Sequence, residues 1–189
     1  MGISLRAAEL DVGAGGGGPV VSNDDKLVGG DRKSLQAEVA ASSRSSLINS
    51  VGLFGTCGGS TWRDGVMNRL SSAGVGFFNP VVPNWTPECA AEEAKHLAGD
   101  KALIMNITGE TEAYGSLAET GWAQRSAENN GQDLYFVIQD FKEGGKDVDP
   151  KHPANRARKL VKAHAEKAGV KIYTDVDKAL DDLLTKMKN

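Results

Sequence analysis

A chain of 189 residues with a formal net charge of −3 has room for one domain and a tail, and it carries no surface-wide basic field to hold a nucleic-acid backbone, so polymeric nucleic acid is not an expected partner. Its hydrophobic share of 40% and charged share of 25% can support a core. Two cysteines, Cys57 and Cys89, without a Cys-x-x-Cys pair give no disulfide framework, and the chain reads as cytoplasmic. The three histidines, His96, His152 and His164, lack metal-ligand spacing, so no metal site is expected. No apolar run approaches the roughly 20 residues of a bilayer span, so no membrane partner is expected. The start of the chain lacks the charged-then-apolar order of a secretory signal. Met1-Gly2 opens it, but Arg6 stands where the myristoylation pattern wants Ser or Thr.

Residues 1–49 differ in texture from the rest. They hold a glycine run (Gly13, Gly15, Gly16, Gly17, Gly18), the pair Gly29-Gly30, a serine cluster and no aromatic residue. Such a segment buries too little apolar surface to offset its ordering entropy, so a disordered tail is expected, with residues 35–41 able to form a short helix. A sorting or docking role for it is the alternative.

From Ser50 the pattern alternates strand and helix. Residues 51–55 form a short apolar strand ending in Gly55. Residues 62–72 have helical periodicity, with Trp62, Val66, Met67 and Leu70 on one side. A strand is expected over 74–78, stopped by Asn79-Pro80. Thr86-Pro87-Glu88 starts a helix, with Thr as N-cap and Pro at the first position, that runs to about residue 98. A third strand covers 101–107, a helix 116–128 and a fourth strand 133–139, whose unbroken apolar run suits burial on both faces of a parallel sheet. A polar loop spans 140–153. A helix over 154–168, a short strand over 170–173 and a helix capped by Asp175 complete the domain of residues 50–189. The alternation predicts an α/β fold: a flavodoxin/Rossmann-like parallel five-stranded sheet with helices on both faces and ligands beyond the carboxyl ends of the strands.

Three segments could carry chemistry. The first, residues 54–64, joins the first strand to the first helix. Gly55, Gly58 and Gly59 let backbone approach a ligand, and free amides at the helix start favour an anion or a sugar edge. Arg63 offers a forked donor for phosphate or carboxylate. The segment is neither a Walker A loop nor a dinucleotide fingerprint. A tight turn capped by Ser60 or Thr61 is the structural alternative. In the second, Ser116 and Glu119 have capping-box spacing, so Glu119 either satisfies its own helix start or stands as a carboxylate at the mouth of the site. The third is Glu92-Glu93, a pair most simply on a solvated helix face. Trp85, just before this helix, could be core or could stack on a base. Cys57 near a helix start has no histidine neighbour in sequence to act as its base. Arg156-Ala157-Arg158-Lys159 is most simply a solvated helix face.

Residues 55–63, 78–86, Glu92-Glu93 and 114–119 together resemble the nucleoside 2-deoxyribosyltransferase-like family, over roughly residues 51–141. The resemblance implies a Rossmann-like sheet binding a nucleoside or nucleotide, with no metal or redox cofactor. In that family a glutamate at the start of the helix after the third strand is the nucleophile, and Glu119 matches it. A carboxylate in the preceding helix positions the sugar. Glu93 is its match here, where the family usually carries aspartate. The related nucleotide N-hydrolases bind a 5′-phosphate with their glycine-containing loop. Gly58, Gly59, Ser60 and Arg63 would form that cradle, with Ser116 a second contact; the whole run, with Gly55, Thr56 and Cys57, would bind sugar and phosphate, and Trp85 or Trp62 would stack on the base. The implied activity is cleavage or transfer at an N-glycosidic bond of a (deoxy)nucleoside or its 5′-monophosphate, in a homo-oligomer whose sites are completed by a neighbouring subunit. The alternatives are a non-catalytic nucleotide sensor of the same fold, or a glycohydrolase acting on a nicotinamide nucleotide.

Overall fold

The computed structural model describes residues 47–188, so the tail expected over 1–49 lies almost wholly outside the described residues. Ile48 and Asn49, assigned to that tail, open the first strand instead.

Twelve elements follow in order. They are β1 (Ile48–Gly55), α1 (Trp62–Ser72), β2 (Gly76–Phe78), α2 (Pro87–Gly99), β3 (Asp100–Ile107) and α3 (Tyr114–Asn130). Then come β4 (Asp133–Ile138), a small hairpin of β5 (Lys142–Glu143) and β6 (Lys146–Asp147), α4 (Pro153–Lys167), β7 (Ile172–Tyr173) and α5 (Val176–Met187). The main sheet has five parallel strands in the order β2-β1-β3-β4-β7. This is the flavodoxin-like doubly wound arrangement, whose strand order reverses between β1 and β3.

The two-residue period of the strands sorts the core. Val51, Leu53, Ala102, Ile104 and Val137 face one side and pack under Val66 and Leu70 of α1 and Leu180 and Leu183 of α5. Phe54, Leu103, Met105, Ile107, Phe136 and Ile138 face the other, under Leu97 of α2, Leu117 and Ala123 of α3 and Ala165 of α4. Both faces of β3 are therefore apolar, as a central parallel strand requires.

Two strands begin later than their apolar runs suggest, for one reason. Gly74 and Gly169 take left-handed backbone (φ 70° and 78°) to end α1 and α4. The next amides, of Val75 and Val170, then bond back to Leu70 O and Ala165 O at 2.9 Å. These residues complete a helix C-terminus and cannot also join the sheet. The loop expected over 140–153 holds the β5–β6 hairpin, which turns on Gly144-Gly145, both at positive φ. No described helix is long and apolar enough to cross a membrane.

Candidate active site at the carboxyl edge

The site is built where β1 and β3 end. Gly55 (φ 117°) lies against the β3 backbone so closely that a Cβ would sit 2.1 Å from Asn106 O, and no L side chain fits. The approach lets Thr56 N–H donate to Asn106 O (2.9 Å) while Thr56 Oγ1 accepts from Thr108 N–H (3.0 Å). Thr56 is thus a buried clasp between the two strand ends, not a surface available to a ligand.

Strand ends leave carbonyls without ladder partners, and buried carbonyls need donors. Arg63 supplies them. Its side chain is 3% exposed, with Nε donating to Leu53 O (2.9 Å), Nη1 to Thr56 O (2.7 Å) and Nη2 to Gly55 O (3.2 Å). Trp62 adds Nε1 to Thr56 O (3.0 Å) and packs its ring 4.4 Å beneath the guanidinium. The fork expected to hold a phosphate is therefore turned inwards and bonded to backbone. Trp62 belongs to the same support and is not free to stack on a base.

A second arginine does the same for the loop before α3. Arg158, expected on a solvated face, is fully buried. It donates from Nε to Gln139 O (2.9 Å), from Nη1 to Glu112 O (3.0 Å) and Ala154 O (3.2 Å), and from Nη2 to Thr108 O (3.0 Å) and Thr111 O (2.7 Å). The guanidinium carries five N–H groups, so its donor capacity is filled. The loop it ties delivers Ala113 in left-handed backbone (φ 54°), an uncommon conformation for a residue with a Cβ. Ala113 O accepts from Leu117 N–H (2.9 Å), so α3 starts at Tyr114. This corrects the capping-box reading. Ser116 lies inside the first turn and Glu119 one turn further, so Glu119 does not cap its own helix.

Between these supports opens a pocket of about 420 Å³. Phe54, Gly55, Cys57 and Gly58 form its floor at the end of β1. Pro80, Val81, Val82 and Trp85 form one wall, Glu93 comes from α2, and Gly115, Ser116 and Glu119 come from α3. Trp85 is 61% exposed and donates from Nε1 to Glu93 Oε1 at 3.3 Å. The Glu119 carboxyl has no hydrogen-bond partner among the described residues. Solvent reaches it, yet the crowding of the pocket pushes its pKa above the ordinary carboxylate value; the negative charge of Glu93 pushes the same way, and Arg63 acts weakly against both. Of the paired glutamates, Glu92 faces outward to Lys95 (2.8 Å) and His96 Nε2 (3.2 Å), and only Glu93 lines the pocket.

Seven of the residues singled out from sequence therefore meet in one place: Gly55, Cys57, Gly58, Trp85, Glu93, Ser116 and Glu119. Thr56 and Arg63 stand beneath the floor and do not line the pocket. Gly59 is exposed on the loop outside the lining, and Ser60 faces a neighbouring cavity of about 510 Å³ with Thr61, Glu110 and Lys142. Sequence reasoning did not assign Phe54, Pro80, Val81 or Val82 to the site. The available signal was two valines between prolines in an otherwise polar stretch, and both prove exposed. No cluster of three or more His, Cys, Asp or Glu side chains suited to a metal ion occurs among the described residues. The chain matches no protein-family model and no curated protein.

Proposed function

We propose that this pocket cleaves, or transfers across, the N-glycosidic bond of a (deoxy)nucleoside or its 5′-monophosphate, as the resemblance to nucleoside 2-deoxyribosyltransferases implies. The observation that carries the reading is the convergence of Glu119, without a hydrogen-bond partner among the described residues, with Glu93 and Trp85 in one pocket at the β1/β3 switch point.

Breaking the bond builds oxocarbenium character at C1′. The Glu119 carboxylate stabilises that charge or traps it as a covalent glycosyl ester. Glu93 holds the sugar, and Trp85 stacks on the base. The ester then yields to water, giving hydrolysis, or to a second base, giving transfer. Arg63 is buried with its fork turned onto three backbone carbonyls, so a 5′-phosphate would rest on loop amides and the start of α3. Tyr114 and Trp122, both exposed on α3, offer apolar surface to the second subunit that the resemblance implies. Light scattering of the purified protein reads that state directly.

The test of the activity is base release followed by chromatography, over a panel of nucleosides and 5′-monophosphates with and without a second free base. Release should fall at least ~10³-fold in Glu119→Ala. Full activity in that variant would end the assignment. Binding without release from any substrate would leave a nucleotide sensor in its place.

A further inference from the structure

The charge of the pocket narrows what it can hold. Among the described residues its lining contains two carboxylates, Glu93 and Glu119, and no lysine, arginine or histidine side chain. The nearest described guanidinium, Arg63, lies beneath the floor, with three N–H groups on backbone carbonyls and Nη2 also 3.6 Å from Cys57 Sγ, and it opposes the charge of Glu119 only weakly. The amides at the start of α3 contribute at most about half a positive charge. Two carboxyl groups therefore face the space that a ligand enters. Burial and mutual repulsion both oppose ionisation of Glu119, and a cation between the carboxylates would relieve both. Beside them stands the exposed indole of Trp85, held by its bond to Glu93. An indole face flanked by carboxylates is the chemistry that recognises a delocalised cationic ring.

Resting on the glycosidic reading above, we propose that the pocket's substrates are nucleosides whose base is quaternised at a ring nitrogen, such as N-alkylpurine or pyridinium nucleosides without a 5′-phosphate.

The chemistry is self-consistent. Glu119 Oε bonds to C1′ as the C1′–N bond breaks. The bonding pair stays on the ring nitrogen and cancels its formal charge, so the base departs neutral and takes up no proton. Water then attacks C1′, the carboxylate leaves, and one proton passes to solvent. A neutral base would need protonation as it leaves, for which the described lining offers only the Glu93 carboxyl and the Cys57 thiol and no histidine or lysine, whereas a quaternised base needs no acid.

The experiment measures kcat/KM for base release from 7-methylguanosine and nicotinamide riboside, beside guanosine, uridine and their 2′-deoxy forms, each divided by its uncatalysed rate. Nicotinamide riboside 5′-phosphate forms a further arm. The charged nucleosides should lead by about tenfold or more, and the 5′-phosphate should be about tenfold poorer than its nucleoside. In Trp85→Leu the loss should be about tenfold greater for charged than for neutral substrates, and Trp85→Phe should recover most of it. A lead for only the purine or only the pyridinium compound supports the charge argument and identifies the ring. Equal normalised rates for charged and neutral nucleosides, dependent on Glu119, would overturn this inference and leave the glycosidic reading standing. Preference for the 5′-phosphate would overturn it as well. No release from any compound would overturn both.

Discussion

Two carboxyl groups, Glu119 at the carboxyl edge of the sheet and Asp100 at its amino edge, are both pushed above the ordinary range, in each case chiefly by burial. Their surroundings are opposite. Asp100 opens β3 fully buried, with Oδ1 accepting from Ser50 Oγ and lying 2.9 Å from His96 Nδ1, while its carbonyl accepts from Gln132 Nε2 at 2.7 Å. His96 in turn stacks on Phe78, ring centroids 3.9 Å apart. No cavity opens onto this cluster among the major pockets of the described residues. Glu119 has a pocket before it, a second carboxylate across it and no hydrogen-bond donor among the described residues. A raised pKa therefore does not by itself mark a functional group. The partners do: donors around Asp100 offset part of its burial, while Glu93 adds to the burial of Glu119.

The sharpest way to break the comparison is to remove each charge and read both activity and stability. Glu119→Gln should abolish base release, by at least ~10³-fold, with no loss of thermal stability, because the change removes an ionisation that the fold opposes. A marked fall in melting temperature would show Glu119 to be structural after all. Asp100→Ala should act the other way, costing about 2–3 kcal/mol in urea unfolding because Ser50 and His96 lose their common acceptor. Asp100→Asn keeps an acceptor oxygen and should stay within about 1 kcal/mol of the parent.

The same pair differs in pH dependence. The folded protein holds the Asp100 proton to higher pH than the unfolded chain does. Stability contributed by this group is thus greatest below the unfolded pKa and declines as pH rises through the folded one. Asp100→Asn should flatten that decline in unfolding curves taken across the acid range. For Glu119 the readout is catalytic. Base release needs its ionised form, so the rate should drop as pH falls through its raised pKa. Glu93→Gln removes the repulsion and should move that acid limb to lower pH, whatever it does to the maximal rate. An unmoved limb would dissociate the two carboxylates. The smallest expected effect is at the entrance to α3. Ala113→Gly should stabilise the protein by about 0.5–1 kcal/mol by relieving left-handed backbone at φ 54°, seen as a rise of a few degrees in melting temperature.

How much of this could be read in the chain depends on whether the deciding contact was local. The bounds of α1 and α2 were legible because periodicity and the Thr86-Pro87 start lie within the elements themselves. The convergence of Glu93, Trp85 and Glu119 was legible through the resemblance and the rule for strand ends. What escaped was non-local. Ser116 and Glu119 have capping-box spacing, but a turn made at Ala113 moved the helix start two residues upstream. Arg63 and Arg158 read as a ligand fork and a solvent face. Nothing in their own neighbourhoods indicates that strand ends and a loop up to 50 residues away supply carbonyls for them. The Asp100 cluster escaped likewise, since Ser50 joins it from 50 residues away. The β5–β6 hairpin is different: Gly144-Gly145 was a local turn signal, and it was read only as part of a polar loop.

The Arg158 knot also has a bearing on the order in which a nascent chain can acquire its site. Every strand that borders the pocket, and Glu93 and Glu119 themselves, precede residue 158 in synthesis. The guanidinium that fixes the loop ahead of α3 arrives only with α4. A ribosome-bound chain extended through β4 therefore carries both carboxylates but lacks the tie that sets the helix of Glu119 in place, so the pocket takes its final shape only after α4 has emerged and docked.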